Sequence, residues 1–254
     1  MMPCPSYPKI ETLFERDEHF HVDTQRIRCP EFTQIARWLV TEKIDGTNIR
    51  VSLERNSPDW SVRFYGRTDN AQIPTFLLSY LQDTFGRDDL KGLWRGRQNC
   101  ELCGGSGLIG HPPSGCSCID GGYSITLYGE GYGERIQKGG GGYREGVSFR
   151  LIDVLVGGMW WLDWLNVCDI AEKLGIKTVP LLPDITGMWD IVDEVRLPFA
   201  STVSFEERPK PEGGLKTVRY AEGIVARTNP YLFDKHGRPL RWKLKTKDFG
   251  GNNG

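Results

Sequence analysis

The sequence lacks an excess of either charge, since its 32 Lys and Arg residues are balanced by 33 Asp and Glu residues. This balance excludes a positive field over the whole protein, so any site for a polyanion must be a local patch. The sequence also lacks an apolar run of about 18 uncharged residues and an apolar N-terminal signal segment. We therefore expect a soluble, intracellular protein, cytoplasmic and without a membrane partner.

An even number of cysteines is lacking too. With seven cysteines and no secretion signal, thiols or metal ligands are expected rather than a disulfide framework. Four of them, Cys100, Cys103, Cys116 and Cys118, cluster in a Gly-rich segment at about 98–122. The first pair has a spacing common in zinc sites, whereas the C-x-C pair is less usual. A zinc site and a metal-free loop are both possible interpretations, and under either one the segment is an insertion into the domain.

The remaining composition predicts a folded protein with a substantial core. The 254 residues are 39% apolar and 11% aromatic, and no repeat or long linker divides them. We expect a single domain over residues 1–254 that carries the Cys-rich insertion. Predicted strands outnumber helices and cluster at both ends of the chain, which favours an α+β fold.

Local patterns predict the individual elements. Helical spacing occurs in residues 30–40 and 74–85, in "LDWLNVCDIAEKLG", which ends at a C-capping Gly175, and in "MWDIVDEVR". Strands are expected in "SVRFYGRTD", "SITLYGEGYG", "VSFRLIDVLVGG", "KTVPLL", "AEGIVAR" and "RWKLKTK".

The stretch "LVTEKIDGTNIRV", residues 39–51, runs an apolar strand into Lys43. Asp45-Gly46 then predicts a tight turn, after which apolar and polar residues alternate as in a second strand. Lys43 is therefore expected at a strand end beside a bend. An exposed lysine next to an ordinary turn would have the same pattern.

The C-terminal strand concentrates positive charge on one face. Strict alternation opposes the apolar face to a cationic one made of Arg241, Lys243, Lys245 and Lys247. This face could bind a chain of phosphates, or it could be a solvated sheet edge. Phe149 and Asp153 are likewise predicted on one face of their strand, where Phe149 could simply be part of the core.

Taken in order, these stretches resemble the motifs of covalent nucleotidyltransferases, the superfamily of ATP-dependent ligases and capping enzymes. The strongest resemblance is to phage-type RNA ligases, and it spans about residues 38–249. It rests on "EKIDGTN", "GEGYGERIQ", "FRLID", "EGIV" and "KLK". The resemblance implies a nucleotidyltransferase (ATP-grasp-like) fold, with antiparallel sheets flanked by helices around a central nucleotide cleft. It is also compatible with a phage-encoded protein that repairs RNA in a host cytoplasm.

The resemblance further implies a mechanism. Lys43 attacks the α-phosphate of ATP, expels pyrophosphate and forms lysyl-AMP. AMP then passes to the 5′-phosphate of an RNA end, and a 3′-hydroxyl displaces it. Lys243, Lys245 and a divalent metal, Mg²⁺ or Mn²⁺, would offset the charge on the phosphates and disfavour the ammonium form of Lys43.

The remaining roles carry over by matching position. The implied nucleotide contacts are Glu42 beside the adenine, Asp45-Gly46 in the lysine motif, Asn48 near a phosphate or the acceptor end, Arg67 on the ribose or phosphate, Glu130 on the ribose hydroxyls and Phe149 stacked on the base. Glu222 would help to hold the metal.

Two departures keep other functions open. Asp45 occupies a position that is His in the phage enzymes and Asp in DNA ligases and capping enzymes. A DNA ligase or a GTP-dependent guanylyltransferase is thus an alternative, as is a non-catalytic zinc-knuckle protein that binds nucleic acid. Only Asp248 to Gly254 follow "KLKTK", so no OB-fold or helical accessory domain is expected. The Cys-rich insertion or a partner would then grip the substrate.

Overall fold

Two antiparallel sheets line a cleft in the computed structural model, which describes residues 4–19, 21–56, 59–86, 124–208 and 218–249. The first sheet has the strand order β11-β10-β3, and the second has the order β5-β4-β6-β7-β8, with β9 parallel to β7. A separate hairpin pairs β1 with β2. The strands are β1 Phe14–Arg16, β2 Val22–Ile27, β3 Leu39–Lys43, β4 Thr47–Asn56, β5 Asp59–Tyr65, β6 Ile125–Gly133, β7 Val147–Val156, β8 Trp160–Trp161, β9 Lys177–Thr178, β10 Gly223–Arg227 and β11 Arg241–Lys245.

Four α-helices and three short 3-10 helices complete the described chain. The α-helices are α1 Thr75–Phe85, α2 Trp164–Leu174, α3 Met188–Arg196 and α4 Thr202–Glu207; the 3-10 helices are Pro30–Gln34, Gly140–Gly142 and Thr246–Phe249. Gly175 ends α2 in the left-handed conformation with φ of 65°, which confirms the predicted C-cap. None of the helices in these parts of the chain has the length and apolar composition that crossing a membrane requires.

The helix expected at residues 30–40 is only partly present. A 3-10 helix ends at Gln34, and the chain is extended again by Leu39, where β3 begins. Tertiary packing overrides the helical spacing here, because Trp38 is buried edge-on against Trp242 with ring centroids 5.4 Å apart. The backbone amide of Trp38 also donates to the carbonyl of Thr186 at 2.9 Å.

Each sheet has its own hydrophobic core. The first sheet packs on α3, with Trp38, Trp242 and Leu244 at the centre. The core of the second sheet includes residues from α1 and α2, among them Leu77 and Val167. The apolar alternation predicted for β4 and β11 therefore points into these cores, which leaves the polar faces for the cleft.

A β-bulge in β7 changes which residues face the cleft. Glu130 pairs with Arg150, but Tyr128 pairs with Asp153, so β7 has one more residue than β6 between these pairs. The extra residue reverses the alternation between Phe149 and Asp153. The prediction that these two residues share a face is therefore wrong.

The predicted cationic face of the C-terminal strand is shorter than expected. β11 ends at Lys245, and Lys247 lies exposed on the following 3-10 helix. Arg241 is buried in an ion pair with Asp153. Only Lys243 and Lys245 of the four predicted cations line the cleft. The cysteine cluster and the proposed insertion at about 98–122 lie outside the described residues.

Candidate active site

Lys43 lies at the end of β3, as the sequence predicts, and shares a row of the first sheet with Gly223 and Lys245. Gly223 has φ of 155°, and a Cβ there would come within 2.1 Å of the Leu244 carbonyl oxygen. Glycine is therefore required in this row. The preceding Glu222 accepts a hydrogen bond from Lys43 Nζ at 2.5 Å and another from Lys245. One carboxylate thus holds both ammonium groups.

These charged groups shift each other's pKa values. Burial alone would raise the pKa of Glu222, but Lys43 and Lys245 outweigh it and lower the pKa overall. The pKa of Lys243 is lowered by burial first and then by Lys43, Lys245 and Arg67. A carboxylate that stays ionised therefore lies among several cations.

Glu130 enters the cleft from the opposite sheet, where it pairs with Asn48 on β4. Burial raises the pKa of Glu130 to about 7, with a further contribution from the carboxylates of Glu222 and Asp45 and an opposing one from Lys43. Asn48 Nδ2 donates to the Gly129 carbonyl at 3.3 Å. Its Oδ1 is buried without a hydrogen-bond partner among the residues that the structure describes, which leaves an acceptor available to a ligand.

The turn after Lys43 is held from outside the cleft. The Asp45 backbone amide donates to the Tyr143 hydroxyl at 3.0 Å, and Arg219 donates to the Asp45 carboxylate at 2.8 Å. The Arg219 guanidinium also lies 4.4 Å from the centre of the Tyr143 ring. A Cβ on Gly46 would meet the Gly131 carbonyl oxygen at 2.4 Å, so this close approach to β6 requires glycine.

Glu42 is anchored at the start of α4. Its buried carboxylate accepts from the Ser201 hydroxyl at 2.5 Å and from the Thr202 backbone amide at 2.8 Å. Burial raises the pKa of Glu42 although these hydrogen bonds oppose the shift. The local sequence contained no signal for Ser201, which comes close only through tertiary folding.

The apolar part of the cleft differs from the prediction for Phe149. This side chain is 1% exposed and packs edge-on against Phe85 in the core, with ring centroids 5.5 Å apart. In this position the Phe149 ring does not line the cleft. Ile152, the bulge residue, lines the cleft instead, together with Val179 and Val225.

The cleft has a volume of about 450 Å³, within the range typical of small-molecule sites. All the predicted nucleotide and catalytic residues except Phe149 line it: Glu42, Lys43, Asp45, Gly46, Asn48, Arg67, Glu130, Glu222, Lys243 and Lys245. Sequence reasoning missed the N-terminal residues Tyr7 to Ile10 and the loop residue Gln137, which line it as well.

A divalent metal fits the donor atoms only in part. Across the described ranges, no group of three or more His, Cys, Asp or Glu residues could hold an ion by itself. Glu222, Glu130 and the unpartnered Asn48 Oδ1 offer the oxygen ligands that Mg²⁺ and Mn²⁺ accept. Such an ion would need phosphate oxygens and water to complete its coordination.

Comparison with known proteins identifies the family of this chain. The sequence model of the RNA ligase family matches residues 36–245. The chain belongs to the RNA ligase family. Among curated proteins, no significant match to this RNA ligase family member is found.

Solved structures of RNA ligases share the fold. A Naegleria gruberi RNA ligase mutant with ATP and Mn is 16% identical, with a TM-score of 0.53 over 96% of this chain and 62% of that one. The same enzyme with PPi is 16% identical, with a TM-score of 0.52 over 96% and 62% of the two chains. A mutant with AMP and Mn is 15% identical, with a TM-score of 0.51 over 95% and 62%. This chain thus spans 62% of the length of these structures.

Proposed function

We propose that this chain catalyses ATP-dependent RNA ligation through a lysyl-AMP intermediate on Lys43. The observation that carries this proposal is the position of Lys43 Nζ. It lies at a strand end in the cleft, 2.5 Å from Glu222, with Lys245 on the other oxygen of the same carboxylate. Membership of the RNA ligase family supports the same chemistry.

In the first step, Lys43 Nζ forms a bond to the α-phosphorus of ATP and the bond to pyrophosphate breaks. Lys43 must first leave its ion pair with Glu222 and lose a proton, because only the neutral amine is a nucleophile. Lys243 and Lys245 would stabilise the charge on the phosphate oxygens. In the second step, an oxygen of an RNA 5′-phosphate displaces Lys43 from AMP. A 3′-hydroxyl then attacks that 5′-phosphorus and releases AMP.

The remaining cleft residues suit the nucleoside. Ile152 and Val225 approach from the two sheets, so an adenine ring could lie between their apolar side chains. Glu130 would accept hydrogen bonds from the ribose hydroxyls, and Asn48 and Arg67 would contact phosphate. Glu42, which is hydrogen-bonded to Ser201, would form part of the wall of the nucleoside site.

Glu222 and Glu130, with the Asn48 amide oxygen, would hold Mg²⁺ or Mn²⁺ together with the phosphates. The ion would supply charge neutralisation at the transferred phosphate. A cation between the two carboxylates would also lower the pKa of Glu130, since it favours the ionised form.

The experiment that tests the proposal is protein labelling with α-labelled ATP or α-labelled GTP in the presence of magnesium. We expect acid-labile label from ATP on the wild-type protein and none on Lys43→Ala. Label from GTP alone would instead indicate a guanylyltransferase. Absence of label from both, with folded protein free of bound AMP, would refute the proposal and favour the non-catalytic alternative.

RNA as the substrate is tested separately. Labelled protein is mixed with strands that carry a 5′-phosphate, either RNA or DNA of the same sequence, and the transfer of AMP is followed. We expect transfer to RNA, whereas transfer to DNA alone would indicate a DNA ligase. ATP and RNA ends as substrates imply action inside the cell. Zinc binding by Cys100, Cys103, Cys116 and Cys118 stays a prediction.

A further inference from the structure

The N-terminal segment, residues 4–13, lies outside the range 36–245 that matches the RNA ligase family, yet its middle residues line the cleft. Its first residues are bound to the second sheet. Arg50 Nη1 donates to the Cys4 carbonyl at 2.8 Å, and the Tyr128 hydroxyl donates to the Pro5 carbonyl at 2.9 Å.

The last residues of the N-terminal segment are bound to the first sheet. The Lys243 amide donates to the Glu11 carbonyl at 3.0 Å, and the Leu13 amide donates to the Lys243 carbonyl at 3.2 Å. The segment therefore crosses from one sheet to the other beside a lysine of the proposed site.

Tyr7 fixes the middle of the crossing. Its hydroxyl accepts from Arg241 at 2.6 Å and donates to the buried carboxylate of Asp153. The Arg241 guanidinium also lies 4.3 Å from the centre of the Tyr7 ring. With both ends and the middle hydrogen-bonded to the two sheets, the segment is a fixed wall of the cleft.

Lys9 lies between these anchors and lines the cleft. Its ammonium group is 2.8 Å from the Glu11 carboxylate, and the two side chains are 66% and 46% exposed. An exposed ion pair of this kind is weak, so it can exchange for a phosphate group. Lys243 and Arg67 also line the cleft, and in the described part of the chain no carboxylate forms an ion pair with either of them.

We propose that Lys9 binds the outer phosphates of ATP and the pyrophosphate that leaves from it. This inference rests on the proposed ligase function. If the base lies on the apolar wall and the α-phosphate at Lys43, the leaving group points away from Lys43 towards a concentration of positive charge in which Lys9 is paired with Glu11. Lys9, Arg67 and Lys243 form that concentration, and a polyanion would replace Glu11 as the partner of Lys9.

The test measures binding of magnesium pyrophosphate by isothermal titration calorimetry. We compare the wild-type protein with Lys9→Ala and with a matched control, Lys173→Ala. Lys173 is also an exposed lysine in a carboxylate pair, 2.5 Å from Asp169 on α2, but it does not line the cleft. We expect the Kd for pyrophosphate to rise about tenfold in Lys9→Ala and to stay unchanged in the control.

A second measurement separates the outer phosphates from the rest of the nucleotide. Lys9→Ala should bind AMP with the wild-type Kd, require more ATP for labelling of Lys43, and transfer AMP from the labelled protein to RNA at the wild-type rate. Wild-type affinity for pyrophosphate in Lys9→Ala would overturn the inference. Equal weakening of AMP and pyrophosphate would also overturn it, since Lys9 would then support the wall as a whole.

The two proposals fail in different ways. If the wild-type protein forms no label from ATP, the ligase function is refuted whatever Lys9 does. If the wild-type protein forms label and Lys9→Ala behaves like Lys173→Ala in both measurements, only the role of Lys9 is refuted.

Discussion

Replacement of Asp153 by Asn should destabilise the protein far more than the same change at an exposed aspartate. Asp153 is 0% exposed and carries the only negative charge of a buried cluster in the described chain. Its carboxylate accepts from Arg227, from Arg241 and from two tyrosine hydroxyls, those of Tyr7 and Tyr231. Both guanidinium groups are themselves buried.

The size of this destabilisation follows from the buried positive charges that lose their partner. Asn retains the shape of the side chain but leaves two buried guanidinium groups without a counter-charge. Loss of one partner from a buried ion pair costs about 3–5 kcal/mol. Since the whole free energy of unfolding of a domain is about 5–15 kcal/mol, this one substitution should remove a large part of it.

The assay is urea unfolding followed by tryptophan fluorescence, with Asp169→Asn as the matched control. Asp169 forms an exposed pair with Lys173 on α2, so its loss should cost about 1 kcal/mol or less. If Asp153→Asn lies within about 1 kcal/mol of the control, the reasoning from buried charge is wrong.

Three further predictions concern the cleft and the core behind it. Burial raises the pKa of Glu130 to about 7, so protonation of Glu130 stabilises the folded state. This stabilisation is present below the pKa of the unfolded chain and is lost as the pH rises through about 7. Without nucleotide or divalent cations, the unfolding free energy of the wild-type protein should fall between about pH 5 and 8, and Glu130→Gln should make that fall smaller by on the order of 2 kcal/mol. A pH profile that is unchanged in the variant would contradict this prediction. Ile152→Ala should weaken AMP binding about tenfold in a calorimetric titration. Phe149→Leu should lower the unfolding free energy by about 1–3 kcal/mol and leave the Kd for AMP unchanged, and the opposite pattern would restore Phe149 as the base-contacting residue.

Local patterns were sufficient for most of the elements that position the site. The strand end at Lys43, the Asp45-Gly46 turn and the α2 helix with its Gly175 cap all follow from alternation, helical spacing and turn chemistry. Each depends on residues close together in sequence, so single-sequence reasoning reaches them. The prediction of a helix over residues 30–40 was wrong around Trp38, because this residue packs into a core formed by residues far away in the sequence.

The bulge in β7 determines which apolar residue of this strand lines the cleft. Counting by twos from Asp153 places Phe149 on the same face of the strand, and no residue of "FRLIDV" indicates that the count breaks. Pairing of β7 with β6 inserts Ile152 as an extra residue, which moves Phe149 into the core. Register is a property of two strands, so the sequence of one strand does not contain it.

By itself, the sequence determined which chemistry this protein could carry: a lysine at a strand end, carboxylates beside glycines, and a cationic strand, in an order that resembles RNA ligases. Only the tertiary structure decided which of these groups meet. It joined Lys43 and Lys245 through Glu222, anchored Glu42 on Ser201, paired Arg241 with Asp153, and brought the N-terminal segment across the cleft. The reason is that side-chain chemistry and local periodicity are written in short stretches of sequence, whereas ion pairs and walls depend on contacts between residues far apart in the chain.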